Sequence, residues 1–477
     1  MDFFGISFYM VLQYLRVHEW NSLFGAMHLV SLAALAAVVG IVFRKDGFSL
    51  KRVFCTPHDY ALVVYLGWIL YTAEYWRDAW GLLQAYFLMY LIFVQALSNL
   101  DRIRRLLALW TVLIYILAAL AVASEFGFDP FDTYDRTHGM WKGRLALHLS
   151  GVHNPNSLGH TVVPILAAIY FYWVWKRPIF VKEVAIPLMA VPFACVFMTQ
   201  SKGAFLVGFI TLLTAFVFGR PRVVQILILV LALTSGVTAL NKLPRMEQMR
   251  SPRADPGIVG RLDAFKFGLI KMQENPRGLG VQGFVREFER ATGLPFSPHS
   301  TYVGLGADLG YLGLVLYLAI AYCCARTLVT AKNLDVDEER VRRILVTFLV
   351  AQIVSGWLIN WSYHMPFFIL AATTAAFHRH LQLKAQASRE EVIVAQPALA
   401  PVSALAVPHE VAPAAAVLQA TQISATLTKE QAPATSATES AGVTKLTWKR
   451  IGIIDLLIIW VWGKATLEFW MYVIKNF

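Results

Sequence analysis

Charged residues are scarce in this chain of 477 residues. They make up 15% of it, whereas soluble domains carry about a quarter. Hydrophobic residues make up 57%, and the mean hydropathy is +0.55. A composition this apolar excludes an ordinary soluble domain. It predicts an all-α polytopic membrane protein.

Acidic residues are fewer than basic ones, 30 against 42, which gives a formal net charge of +12. In a membrane protein such an excess first reports the orientation of the loops. The sequence has none of the basic and aromatic patterning of a nucleic-acid module. We therefore expect membrane lipids, and no nucleic acid, among its partners.

Cysteine is also rare, and its positions do not have the spacing of metal ligands. We expect no disulfide framework, no metal site and no other cofactor. The N-terminus lacks a basic stretch before its apolar run and a small-residue cleavage site after it, so we expect no removable signal peptide. The four cysteines are Cys55, Cys195, Cys323 and Cys324.

Long apolar runs are abundant and predict about twelve transmembrane helices in a core that spans residues 1–384. Several runs are short enough to require a tilted helix or a thinner bilayer. The runs lie at about 3–15, 21–43, 59–73, 80–98, 106–124, 156–175, 183–199, 204–218, 223–240, 300–325, 343–362 and 366–382.

Lysine and arginine concentrate in every other connection between these runs, which places those connections in the cytoplasm. The opposite set then faces outward, and in a bacterium that side is the periplasm or the cell exterior. It contains the two long loops 125–155 and 241–299 and short links near 200–203 and 363–366. Since ATP is absent from that side, a transferase there would need an activated, membrane-bound donor.

The loop 241–299 carries a helical pattern of its own. Ile258, Leu262, Phe265 and Leu269 recur at helical spacing, which predicts a surface helix, one that lies on the membrane and ends at Glu274. Glycines at 278, 280 and 283 follow and predict a flexible turn whose backbone can approach a ligand closely.

The composition changes after residue 384. Alanine, proline, threonine and serine dominate residues 385–445, which predicts a disordered cytoplasmic tail. Residues 446–477 form an apolar and amphipathic stretch interrupted by Lys464 and Glu468. This stretch predicts a membrane-associated helix, either interfacial, which we favour because of the two charges, or a further span.

Three polar residues at the predicted outer face could carry chemistry. His299 precedes an apolar run, so it would lie at a helix N-terminus, where an imidazole stays neutral and can act as a base; alternatively it only caps the helix. Arg261 lies on the predicted surface helix. Lys202 lies in a short link, where it is either an anion ligand or a snorkelling lysine.

Further candidates surround this set. Asn156 lies at the start of a span, where Asn156 or Ser157 would be the helix N-cap. His364, in another short link, either approaches the site or marks a turn. Asp308 is an intramembrane carboxylate, either functional or simply hydrogen-bonded. Arginine and lysine beside the glycine-rich turn at Gly280 predict a phosphate or diphosphate site.

The order of these motifs resembles that of the O-antigen ligase and polymerase superfamily. The matching elements are Asn154-Pro155-Asn156, Ser201-Lys202-Gly203, Gly260-Arg261, Asn275-Pro276 with Gly278-x-Gly280, and Pro298-His299-Ser300-Thr301 leading into Gly310-x-x-Gly313. The resemblance extends over roughly residues 20–385.

This resemblance implies an integral inner-membrane glycosyltransferase that uses undecaprenyl-diphosphate-linked glycans on the periplasmic side, without a metal or a nucleotide sugar. It implies that His299 is the essential histidine and that Arg261 binds the donor. Lys202 stands where the family usually has arginine, which keeps the charge but loses bidentate pairing to phosphate.

The predicted function is therefore inverting, metal-independent transfer of an O-antigen glycan to lipid A-core. His299 and Arg261 would be catalytic, and Lys202, Arg261, Asn156, Gly280 and His364 would bind substrate. An O-antigen or exopolysaccharide polymerase and a protein O-oligosaccharyltransferase remain open. A lipid-linked glycan transporter is the alternative of another class, but most candidate residues lie at one face rather than at the bilayer midplane.

Overall fold

Helices dominate the computed structural model, which describes residues 1–20, 22–45, 47–240, 256–293, 296–395, 445–446 and 448–476. The helices are α1 Asp2–Leu15, α2 Ser22–Ala26, α3 Leu29–Val42, α4 Pro57–Thr72, α5 Trp76–Leu82, α6 Met89–Ala96, α7 Leu100–Ser124, α8 Thr133–Asp135, α9 Pro155–Val162, α10 Ile165–Ile169, α11 Ile179–Leu188, α12 Ala190–Met198, α13 Lys202–Val217, α14 Arg222–Leu240, α15 Pro256–Glu274, α16 Gly283–Thr292, α17 Thr301–Thr330, α18 Val336–Ser355, α19 Met365–Ala395 and α20 Ile453–Asn476.

Short irregular elements complete the chain. Two 3₁₀ turns cover Val17–Glu19 and Leu50–Arg52, and π-helical turns cover Leu83–Leu88, Arg136–Met140 and Tyr170–Val174. Strand β1, Ala331–Lys332, pairs antiparallel with β2, Lys445–Leu446. This pair ties the far end of the tail to the link between α17 and α18.

Five helical segments among the described residues are long and apolar enough to cross a membrane: Trp76–Ala96, Leu100–Ser124, Pro155–Val174, Ile179–Met198 and Thr301–Thr330. Three further helices are apolar but shorter. The prediction of a helical, multi-pass membrane protein is confirmed. The number of about twelve spans stays a prediction.

Helix α17 is central to the arrangement, because α4, α15, α18, α19 and α20 all pack against it. It is kinked at Gly310, whose φ of 69° and ψ of 177° lie in a region open essentially to glycine alone. The indole N–H of Trp68 on α4 donates to the carbonyl of Leu309 at the kink, at 2.8 Å. The kink therefore also fixes how α4 meets α17.

The turn after α15 occupies the space that the kink opens. A Cβ atom on Gly310 would lie 2.1 Å from the carbonyl oxygen of Pro276, and one on Gly278 would lie 2.3 Å from that of Asp308. The N–H of Leu279 donates to the carbonyl of Ala307 at 2.9 Å. This close backbone contact seats α15 and α16 on the first half of α17.

A helix is present at the predicted position as α15, which ends at Glu274 as expected. Its place on the membrane surface stays a prediction. Phe265 and Leu269 of its apolar stripe are buried, and Lys266 is exposed. The ring of Phe265 packs against Trp470 of α20, with ring centroids 4.2 Å apart. The apolar stripe of α15 therefore faces protein, and α20 packs against it.

Helix α20 lies antiparallel to α17 along much of its length. Tyr322 near one end of α17 donates to Asp455 at 2.5 Å, Tyr311 donates to the carbonyl of Trp460 at 3.2 Å, and Trp470 clusters with Val303. The two charges that interrupt α20, Lys464 and Glu468, lie 3.6 Å apart and half-exposed.

The predicted tail falls mostly outside the described residues. Helix α19 continues through residue 395, beyond the boundary expected at 384. Residues 396–444, which carry the rest of the predicted disorder, and residues 241–255 of the outer loop lie outside the described residues.

Replacement of Gly310 by alanine tests the kink. We expect Gly310→Ala to destabilise the fold by at least about 2 kcal/mol, because alanine is strained at this φ and ψ and its Cβ would overlap the Pro276 carbonyl. The measurement is the thermal unfolding of the detergent-solubilised protein. Gly67→Ala, on α4 with open space around the new methyl group, is the control and should unfold like the wild type. Equal stability of the two variants would contradict the role of the kink.

Candidate functional site

The turn that carries His299 is clipped to the link between α18 and α19. The backbone N–H of Thr301 donates to the carbonyls of Gly356 and Ile359, at 2.8 and 3.1 Å, and its hydroxyl donates to the latter at 2.9 Å. The N–H of Trp361 in turn donates to the Thr301 hydroxyl at 2.8 Å. Ser300 caps α17 and donates its hydroxyl proton to Gly356.

A second set of hydrogen bonds extends this clip. The side-chain amide of Asn360 donates to the Ser297 hydroxyl at 3.2 Å, and its carbonyl oxygen accepts from the Ser362 hydroxyl at 2.6 Å. Ser362 also approaches the Thr301 carbonyl at 3.3 Å. The turn 297–301 and the link 356–364, more than fifty residues apart in sequence, therefore form one rigid unit, which we call the wall.

His299 is held in a left-handed backbone conformation, with φ of 49°, which is uncommon outside glycine. Its ring packs edge-on against Phe296, with ring centroids 5.0 Å apart. The capping role that we considered for His299 belongs instead to Ser300, whose hydroxyl oxygen accepts from the N–H of Val303. The imidazole itself lines a cavity.

That cavity has a volume of about 710 Å³ and lies between the wall and the starts of α9, α13 and α15. It brings together five of the six residues predicted to bind or react with substrate: Asn156, Lys202, Arg261, His299 and His364. They come from five separate stretches of the chain, so only the fold could place them side by side.

Gly280, the sixth predicted residue, does not reach this cavity. It lines a smaller one of about 230 Å³, together with Glu74 and Arg286. Arg286 pairs there with Glu74 at 2.9 Å. A Cβ on Gly280 would lie 3.1 Å from the backbone nitrogen of Glu74, so the glycine allows close approach of protein backbone.

The start of α9 differs in detail from the prediction. The N-cap is Asn154, whose side chain accepts from the N–H of Ser157 at 2.9 Å, and Pro155 takes the first helical position. The prediction of a cap at Asn156 or Ser157 is wrong by two or three residues, because Pro155 fixes the backbone of the first turn. Asn156 is therefore available to other partners.

Asn156 links two of the cavity walls. Its side-chain oxygen accepts from the Ser201 hydroxyl at 2.9 Å and from the Arg144 guanidinium at 3.0 Å. Ser201 caps α13, of which Lys202 is the first residue. Asn156 thus positions both the lysine-bearing helix end and Arg144, which also donates to the carbonyl of Thr199 at 3.2 Å.

Sequence reasoning missed Arg144, Asn360 and Trp361 as cavity residues. Arg144 is a basic residue in the predicted outer loop 125–155, on the side opposite the basic connections. This position was the signal in the sequence that could have identified it. His153, which directly precedes the Asn154-Pro155-Asn156 motif, lines the cavity as well. The aromatic and amide residues of the wall carried no comparable signal.

The charge of the cavity is one-sided. Three cationic side chains, Arg144, Lys202 and Arg261, line it, and none of the described residues around it is an aspartate or a glutamate. Such a lining favours an anion with several oxygens, and arginine can pair with phosphate oxygens in a bidentate manner.

Burial, and then the charge of Arg261, lower the pKa of His299 to about 4. Its imidazole is therefore neutral at pH 7 and can accept a proton. Burial likewise lowers the pKa of His364, to about 3, with a smaller effect of Arg16. The cavity thus combines fixed positive charge with neutral imidazoles.

Asp308 does not line this cavity. Its carboxylate accepts from the N–H groups of Phe284 and Gln282, at 2.8 and 3.2 Å, and from the Tyr363 hydroxyl at 3.1 Å. Of the two interpretations of this intramembrane carboxylate, the structure shows the hydrogen-bonded one. Asp308 holds the start of α16 to α17 and to the wall.

Among the described residues there is no group of three or more histidine, cysteine, aspartate or glutamate side chains that could hold a metal ion. The four cysteines are free thiols.

The fold and the cavity define a multi-pass membrane protein with a cationic cavity beside a neutral imidazole. Residues 187–318 match the family model described as O-antigen ligase. This segment runs from α11 into α17 and includes Lys202, Arg261 and His299, whereas Asn156 and His364 lie outside it. This segment, which makes up less than a third of the chain, is therefore an O-antigen ligase domain within a multi-pass membrane protein. No curated protein sequence matches the chain.

The influence of Arg261 on His299 can be tested by a pH profile of glycan transfer. Since a depressed pKa leaves the imidazole neutral above about pH 4, activity should fall as the pH drops through that value. Arg261→Gln should reduce donor use and shift the acid limb of the residual activity upward by about one pH unit, because a neighbouring positive charge is lost.

Lys202→Met is the matched control for this profile. It removes a cation from the same cavity, but Lys202 does not contribute to the lowered pKa of His299. Its acid limb should stay at the wild-type pH. An unchanged limb in Arg261→Gln, or an equal shift in both variants, would contradict the coupling.

Proposed function

We propose that this protein transfers a glycan from undecaprenyl diphosphate to lipid A-core at the periplasmic face of the bacterial inner membrane, as an O-antigen ligase. The cavity of about 710 Å³ carries the proposal, because it joins three cations and the neutral His299 without an acidic residue among its described lining. A diphosphate donor and a hydroxyl acceptor require these two kinds of group.

Arg261 and Lys202 hold the donor diphosphate, and Arg144 adds a third positive charge. Developing negative charge on the leaving diphosphate is stabilised by these side chains, since fixed cations in a site with little water are effective there. In this proposal they replace a divalent metal ion. Asn156 keeps Arg144 and the start of α13 in position.

His299 takes the proton from the acceptor hydroxyl. The hydroxyl oxygen forms a bond to the anomeric carbon of the donor glycan as the bond from that carbon to the diphosphate oxygen breaks. The electron pair of the broken bond leaves with undecaprenyl diphosphate. A single displacement of this kind inverts the anomeric configuration.

The placement in the membrane is part of the proposal. About twelve spans would set the cavity at the periplasmic surface, with α15 and α16 covering it. We also place α20 across the membrane, because it packs along α17, a candidate span, and its two charges pair with each other. The polyprenyl chain would remain among the lipids.

Loss of the imidazole should remove the activity. We expect His299→Ala to lower glycan transfer by at least about 100-fold, the usual contribution of a general base, while the protein remains in the membrane. The measurement is transfer of undecaprenyl-diphosphate-linked glycan to lipid A-core by solubilised enzyme. His148→Ala, at an exposed outer-loop histidine that is not among the cavity residues, should retain full activity. Full activity in His299→Ala would refute the assignment.

Deletion of the gene distinguishes ligation from the related reactions. Gel analysis of lipopolysaccharide should show loss of all long chains, with accumulation of the lipid-linked donor. A core that bears a single repeat unit would instead identify a polymerase. An unchanged lipopolysaccharide pattern with altered glycoproteins would identify a protein O-oligosaccharyltransferase.

A further inference from the structure

A second cavity, of about 250 Å³, adjoins the first on the other side of the wall. The two share three lining residues, Asn360, Trp361 and His364. Pro298 lines the smaller cavity and its neighbour His299 lines the larger one. A substrate in the smaller cavity would therefore lie directly beside a substrate in the larger one.

The chemistry of the smaller cavity differs from that of its neighbour. No lysine or arginine is among its described lining residues. Its one carboxylate, on Asp308, is engaged by three hydrogen-bond donors, while Gln282, Asn360 and Ser362 contribute amide and hydroxyl groups. Such a lining is suited to a neutral, polyhydroxylated group and not to a diphosphate.

His364 lies at the boundary of the two cavities. Its ring is stacked on Trp361, with ring centroids 4.6 Å apart and an angle of 14° between the planes, so its orientation is fixed. Its side chain lines both cavities, so it can contact a substrate in either one.

We propose that the smaller cavity is the subsite for the acceptor sugar and that the imidazole of His364, at the boundary of the two cavities, hydrogen-bonds one of its hydroxyls. The sugar ring lies between Gln282 and Ser362, against the edge of Trp361. Its reacting hydroxyl reaches past His364 into the larger cavity, where His299 and the donor lie. This subsite rests on the proposed function, because it assumes a glycan donor in the larger cavity.

Steady-state kinetics with each substrate titrated at saturation of the other test the subsite. We expect His364→Ala and Gln282→Ala each to raise the KM for lipid A-core by about ten-fold, the effect of one lost hydrogen bond in a buried site. The KM for undecaprenyl-diphosphate-linked glycan should stay within about two-fold of the wild-type value. His148→Ala serves again as the control and should change neither constant.

Gln282 lines the smaller cavity and not the larger one, and its backbone N–H can still donate to Asp308 in the variant. It therefore supplies the comparison if His364→Ala does not accumulate in the membrane. A raised KM for the donor with an unchanged KM for the acceptor would overturn the subsite, as would no change in either.

These outcomes are distinct from failure of the proposed function. If the wild-type enzyme transfers no glycan to lipid A-core, the ligase proposal fails. If the wild-type enzyme transfers glycan and the two variants affect both substrates equally, only the acceptor subsite is wrong.

Discussion

The hydrogen bonds of Thr301 hold the site together. One residue at the start of α17 binds the carbonyls of Gly356 and Ile359 and receives the N–H of Trp361. The Thr301 N–H lies in the first turn of α17 and the other groups lie in the link between α18 and α19, so none has a partner within a helix and each would otherwise need another one. By satisfying one another they fix the turn of His299 against the link that carries His364. Both cavities share this wall.

The second constraint on the architecture is the kink of α17. A straight helix would keep the turn after α15 away from Asp308, whereas the conformation of Gly310 lets the two backbones meet. Asp308 then binds the start of α16, and α15 is held between α17 and α20. Arg261, on α15, reaches the cavity through this chain of contacts.

The positions of the arginine and lysine side chains determine the electrostatics of the site. Arginine and lysine at the mouth of a membrane protein can keep contact with water while their side chains converge on one space. The same positive charge helps to keep His299 neutral, because protonation would add another cation beside Arg261. In the proposed function, one arrangement would thus both bind an anion and supply a base, while acidic side chains such as Asp308 and Glu74 are engaged elsewhere.

Much of this protein could be predicted from its sequence alone. The apolar runs, the alternation of basic loops, the helix α15 and the residues His299, Arg261 and Lys202 follow from hydropathy, helical periodicity and short motifs, which are local properties of the chain. The tertiary structure decided which distant residues meet. It brought Arg144, Trp361 and Asn360 to the cavity and placed Gly280 beside Glu74, because contacts between remote segments depend on helix packing and backbone turns that no local pattern encodes.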